Sequence, residues 1–512
     1  MKPMFSRAPT PTTADLADAT PPDRDRVVDL VRVAALVVVV VGHWLMAVVT
    51  WDHHGLRGRN VLDLEPWTRW LTWALQVMPL FFVAGGVANA ASWASAQRRH
   101  AGYPAWLYGR VDRLLRPVAA LCAAWTIGLV LARGAGADAR SLHVAARLVG
   151  MPLWFLAVYV GVVAAAPAML AAHRRWSVRV LMALAVAVAA VDALALGRHW
   201  AWLGWANFGF VWVLVHQFGF FWRDRSHRGS GPARRDGWLL VLGGFGALVA
   251  LTHWLGYPVS MVGGASDRSN NTPPTLALVA LGLGQTGLLL LARDRLTAWL
   301  ARPRPWRTVV AANGVAMTLY LWHLTALCAA ALLLVRTGVF PSAPVGTTAW
   351  WWARPAWLLV LALLLLPLLA LWSRVEQAVG PPVISQSGRG PVWQSVAGAA
   401  LVSLGLTGVA LLGFWVPGRA AGWTLASLLA VVAGHRLAKT SLLHDLSGRA
   451  GGRARRRGGG SPSGARAVVH DERADQLTVT SPRRWPAGPS RRSRAARDGF
   501  GVRHQRPRAV RR

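Results

Sequence analysis

Apolar runs of twenty or so residues alternate with short, Arg-containing connectors along most of the chain. A helix rises about 1.5 Å per residue, so about 20 apolar residues cross about 30 Å of hydrocarbon. The pattern predicts twelve spans, near residues 27–50, 70–96, 114–132, 148–172, 180–196, 205–222, 237–255, 275–292, 309–335, 356–372, 395–415 and 420–435. In lipid every backbone polar group must be bonded internally, and the runs are too long and too uniformly apolar for barrel strands. The expected fold is therefore all-α, a polytopic membrane helical bundle. Residues 1–23 are rich in Pro, Thr and Ala, and residues 436–512 in Arg, Gly and Ser. Both segments have too few apolar side chains for a core and are expected to be disordered. The first apolar run is too long for the core of a secretory signal and lacks a cleavage site, so it is expected to be retained.

Composition agrees with the pattern. Of 512 residues, 54% are hydrophobic and 15% charged, against about 25% charged in ordinary soluble domains. The formal net charge is +35. That value alone suggests nucleic acid, but its distribution points to a membrane. Residues 1–32 and every second connector together carry 25 Lys and Arg, the alternate connectors 11, and the segment after residue 435 the other 20. The positive-inside rule then places the N-terminus, the Arg-rich connectors and the tail in the cytoplasm, with the bundle multi-pass in the cell membrane. The tail has no folded or aromatic-interleaved RNA motif, so no specific nucleic-acid partner is expected, only contact with the lipid bilayer. Cys122 and Cys328 lie in apolar runs and read as small buried hydrophobes. No phosphate loop, zinc-ligand spacing or nucleophile elbow occurs, which leaves ATP-driven transport and metalloprotease chemistry without support and predicts no metal.

Ionisable groups inside a span are costly and mark function. The first span carries Asp29, Arg32 and His43. At 100° per residue, Arg32 and His43 fall about 20° apart on one helix face and about 16 Å apart along the axis, with Asp29 about 40° from that stripe. Asp29 is expected to pair with Arg32, three residues on. Arg110, Arg113 and Arg116 recur every three residues at the start of the third span. They are either topology signals or forks for phosphate oxygens. In the ninth span Tyr320 and His323 share a face. The second span joins Met78-Pro79-Leu80-Phe81-Phe82 to the pair Gly85-Gly86, and the fourth opens Leu153-Trp154-Phe155-Leu156. Spans one, two, three, four and nine are expected to enclose one cavity lined by both Arg32 and His43. The Asn-rich connector 257–274 is either an acceptor contact or a plain turn.

These elements, in this order, resemble acyltransferase family three, integral-membrane O-acyltransferases. Arg32, ten residues, then His43 is similar to the family's opening signature. Pro79-Leu-Phe-Phe-Val-Ala-Gly85 resembles its second-helix pattern, with Ala84 where Ser is frequent. Arg113-Leu-Leu-Arg116-Pro117 resembles its Arg-x-x-Arg element, and Leu153–Leu156 and Tyr320-Leu-Trp322-His323 two later landmarks. The resemblance covers residues 24–375. Residues 376–435 then hold two additional spans beyond the usual ten, and 436–512 a basic tail. The resemblance implies transfer of an acyl group, acetyl first among them, from the co-substrate acyl-CoA to a hydroxyl acceptor such as a glycan. It places the CoA phosphates near Arg113 and Arg116, together with Arg32, and makes His43 the general base, with Arg32 the second catalytic residue of the opening signature. Tyr320 and His323 then serve as oxyanion donors or pore wall. A proton-coupled secondary transporter is the competing reading of the same intramembrane charges, but the chain shows no matching halves.

Overall fold

The computed structural model describes residues 12–456, except 22, 54, 198–199, 228–233, 264–267, 341–342, 379–389 and 415–420. Its opening is ordered further back than expected. Thr12 and Asp15 form a reciprocal capping box that starts α1 (Thr13–Asp18). Trp306 holds this turn down, its indole N–H donating to the Ala17 carbonyl and the Thr20 hydroxyl. The Pro/Thr composition of residues 1–23 concealed that docking.

Asp25 caps α2 (Arg26–Met46) by accepting from the backbone N–H groups of Val27 and Val28. The first expected span ended at residue 50, but the helix stops at Met46. Ala47 turns extended, and β1 (Ala47–Asp52) pairs antiparallel with β2 (Gly55–Asn60), Ala47 opposite Asn60 and Asp52 opposite Gly55. The run Val48-Val49-Thr50-Trp51 suits a pleated ribbon, and its apolar character concealed the change of structure. Gly55, at φ +91°, closes the hairpin.

The chain continues through α3 (Val61–Leu64), a 3-10 turn (Pro66–Leu71), α4 (Thr72–Leu75), α5 (Met78–Arg98), α6 (Tyr103–Gly134), α7 (Ala139–Gly150), α8 (Leu153–Trp176) and α9 (Val178–Gly197). After a second 3-10 turn (Ala201–Ala206) come α10 (Asn207–His227), α11 (Arg234–Trp254), α12 (Leu276–Leu300) and α13 (Pro303–Ala330), which runs on as a π turn through Val335. The last helices are α14 (Thr348–Trp352), α15 (Arg354–Ala378), α16 (Val392–Leu412) and α17 (Ala421–Arg456). α17 extends past residue 436, where the tail was expected to begin; residues after 456 lie outside the described residues.

Among the described residues eleven helical segments are long and apolar enough to cross a membrane, so the chain is a multi-pass membrane protein with an all-α bundle and one small hairpin. The remaining expected span, 205–222, is α10. It falls outside those eleven, with Asn207, His216 and Gln217 in its sequence. Val211, Trp212, Leu214, Val215, His216 and Gln217 are at most 1% exposed, so protein rather than lipid surrounds the middle of this helix. Close packing comes from glycine. A Cβ on Gly86 would overlap the His216 carbonyl and lie 3.0 Å from Gly219 Cα, so α5 and α10 touch backbone to backbone.

The two C-terminal spans pack into the body. On α16, Ser403 donates to the Ala157 carbonyl of α8 at 2.9 Å. On α17, His435 stacks on Tyr108 of α6 at 5.4 Å and lies 2.9 Å from an Asp112 carboxylate oxygen.

Candidate functional site

α2 and α13 bring two histidines together. His43 Nδ1 lies 2.8 Å from His323 Nε2, and His323 Nδ1 lies 2.6 Å from the Tyr320 carbonyl oxygen. A carbonyl only accepts, so His323 Nδ1 carries the proton there. His323 Nε2 is then the acceptor, and His43 Nδ1–H donates to it. The remaining nitrogen, His43 Nε2, has no hydrogen-bond partner among the described residues and carries the lone pair. Trp44 fixes the same junction, its indole N–H donating to the His323 carbonyl at 3.0 Å.

His43 lines a cavity of about 510 Å³. Its walls come from α2, α4, α5, α8, α10, α13, α14, α16 and the two 3-10 turns, closed on the hairpin face by residues 60–62 and by Val262, Gly263, Asn271 and Thr272 of the expected polar connector. Tyr320, Phe155 and Trp154 form part of the wall. Span three contributes no lining residue, and neither Arg32 nor any arginine of α6 is among the lining residues, contrary to the expected shared cavity. The Arg32 guanidinium instead sits 5.9 Å from the Phe81 ring. Phe81 packs edge-on against Phe155 at 5.0 Å, which in turn meets Tyr320 at 5.6 Å. Aromatic rings thus join the arginine region to the wall of the histidine cavity.

The cationic residues sort differently from their spacing. Asp29 is buried, and its partner is Arg24 rather than Arg32, with bonds of 2.6 and 3.0 Å to both carboxylate oxygens. Arg24 folds back over the helix start, and the carboxylate raises its affinity for its proton. Arg116 is bound to Asp112 one turn back, at 2.7 and 2.8 Å, and Arg113 is exposed. These two were expected to aim at one phosphate group, but the i,i+4 carboxylate turns Arg116 aside. Arg110 points inward and hydrogen-bonds the Asn89 amide oxygen. It is close enough to Arg32 and Arg113 for their charges to repel, and none of the three has a carboxylate partner among the described residues. The Arg32 Nε is buried without a hydrogen-bond partner. Arg32 and Arg110 are thus cationic groups shielded in part from solvent and not neutralised by a carboxylate. Tyr320 and His323 have no spare donor, since the Tyr320 hydroxyl donates to the Pro152 carbonyl at 2.6 Å and His323 is engaged at both nitrogens.

A sequence model of the acyltransferase domain of family 3 matches residues 25–373. The chain belongs to acyltransferase family 3. No curated protein and no solved structure matches it. The protein is therefore a membrane acyltransferase, and α16 and α17 lie beyond the matched stretch of this family 3 chain.

Several polar residues of this acyltransferase were not singled out in its sequence. The Asn89 amide nitrogen lies 3.1 Å from His216 Nε2, which extends the Arg110 contact into α10. Asp192, also buried, accepts from Asn207, Tyr257 and the Leu276 backbone N–H at 2.8, 2.9 and 2.8 Å. It ties the 256–275 connector to α9 and α10. Desolvation, reinforced by that carboxylate, pushes the Tyr257 phenol well above its usual range. The available signal was the one used for His43, a polar residue within an apolar run.

Proposed function

We propose that the protein transfers an acyl group, acetyl in the first instance, from acyl-CoA to a hydroxyl held in the cavity on the hairpin face. The observation that carries this reading is the Tyr320 carbonyl–His323–His43 chain, which leaves one basic nitrogen at the wall of that cavity. The acceptor hydroxyl gives its proton to His43 Nε2 as its oxygen attacks the thioester carbonyl. The new C–O bond forms, the C–S bond breaks, and the proton passes to the departing thiolate, giving the ester and free CoA. His323 accepts from Nδ1–H throughout and keeps the imidazole in the required tautomer.

The donor's anionic groups rest on Arg32, Arg110 and Arg113. The helix rise between Arg32 and His43, about 16 Å, is on the scale of an extended pantetheine arm, which has to part the Phe81–Phe155–Tyr320 ring contacts to reach the cavity. In this reading the Arg-rich face and both termini are cytoplasmic, where acyl-CoA is made. The test is CoA release and acyl transfer by the full chain in nanodiscs supplied with acetyl-CoA. His43→Ala is expected to lower turnover by about 10²–10⁴-fold while leaving the protein folded. Wild-type turnover in that variant refutes the general-base assignment.

A further inference from the structure

The acyl-transfer reading leaves the acceptor open, and the cavity walls speak to it. A free polyol is recognised by unpaired donors and acceptors that replace its water. Here most of the polar side chains of the wall are already bonded to the protein. Gln76 donates to the Met261 carbonyl and Asn271 and accepts from the Met78 N–H. Asn60 accepts from the Leu62 N–H and donates to the Gly263 carbonyl. Thr72 donates to the Arg69 carbonyl and accepts from the Met261 N–H, and the Thr68 and Thr407 hydroxyls donate to the carbonyls of Glu65 and Ser403.

The rest of the wall is largely apolar and aromatic, and its edge is open. Leu71, Leu75, Met151, Trp205 and Leu411 all line the cavity, yet each is between 37% and 55% exposed. A rim of large apolar side chains continuous with the outside of a membrane bundle is a passage for an apolar ligand body. Leu411 and its neighbour Ala410 belong to α16, outside the residues matched by the acyltransferase domain. The additional span therefore supplies part of the wall of the site.

We infer that the acceptor is a membrane-borne alcohol, its hydroxyl at His43 and its apolar chain lying along the rim formed by Leu71, Leu75 and Leu411, with α16 as the selectivity wall. This rests on the acyl-transfer reading. The apolar chain stays in hydrocarbon while the head group turns into the cavity, so a water-soluble glycan gains nothing from the rim.

The test uses the full chain in nanodiscs with radiolabelled acetyl-CoA. Matched acceptors are offered as methyl glycosides and dodecyl glycosides of glucose, galactose, mannose and rhamnose, together with hexadecanol and a soluble polysaccharide. Label is expected in the dodecyl glycosides or the hexadecanol, at least tenfold above the methyl glycosides at equal concentration. Leu411→Trp and Ala410→Trp are expected to lower that transfer at least tenfold, with the thermal unfolding of each variant measured beside it to show that the bundle still folds. Equal labelling of methyl and dodecyl forms, label only in the polysaccharide, or CoA release with no labelled acceptor overturns the inference. Undiminished transfer by both tryptophan variants overturns the role of α16. Absence of CoA release under every condition instead removes the acyltransferase mechanism on which the inference stands.

Discussion

Replacing His323 isolates what the histidine pair contributes. His323 is fully buried, its Nδ1–H bonded to the Tyr320 carbonyl and its Nε2 accepting from His43. In His323→Phe the volume is retained, but the His43 N–H loses its acceptor. An unsatisfied buried donor costs about 1–3 kcal/mol, and the tautomer with the proton on Nε2 becomes competitive. At about 1.36 kcal/mol per tenfold in rate, kcat should fall about fivefold to 150-fold. That is smaller than the effect of removing His43 itself. His323→Gln, whose amide oxygen can accept from Nδ1–H, should recover part of the loss. Because His323 acts through His43, the pair His43→Ala and His323→Phe should be strongly non-additive, the double variant no slower than His43→Ala alone. The assay is steady-state CoA release in nanodiscs, with thermal unfolding of each variant measured in parallel. An unchanged kcat in a folded His323→Phe protein, or additive losses in the double variant, would refute the positioning role.

Arg110→Ala should raise the KM for acyl-CoA by about tenfold to a hundredfold, the worth of one charge-assisted hydrogen bond, with Arg110→Lys only partly restoring it. Arg116→Ala should leave that KM near wild type and lower thermal stability instead, since its carboxylate partner is Asp112; donor KM measurements across the three variants decide between the two arginines. Asp192→Ala should destabilise the fold, because three donors lose one buried acceptor at about 1–3 kcal/mol each, and a Tm equal to wild type contradicts that account. Gly86→Ala should cost about 1–3 kcal/mol or more by forcing α5 and α10 apart, seen as a lowered Tm; an unshifted Tm shows that the crossing can relax.

The bundle was legible because lipid makes a local demand. Each span must carry its own run of apolar residues and close its own backbone bonds, so the positions of the helices are written in consecutive residues. Asp29, Arg32 and His43 stood out for the same reason, as did Tyr320 and His323. Partners were another matter, because they are set by packing between elements far apart in the chain. Spacing suggested Arg32 for Asp29, yet Arg24 beyond the helix start reaches it. The three arginines of α6 look equivalent in sequence, and only the neighbouring groups decide that Arg110 turns inward, Arg113 faces out and Arg116 closes on Asp112. The His43–His323 bond joins residues 280 positions apart, and no helical period encodes it. Val48–Trp51 has the apolarity of a span and the β-branching of a strand, and the hairpin with β2 settles the choice. α10 carries His216 and Gln217 in its middle because other helices, not lipid, surround it. A single chain displays its solvent preferences residue by residue, but the neighbours that replace solvent exist only once the helices have packed.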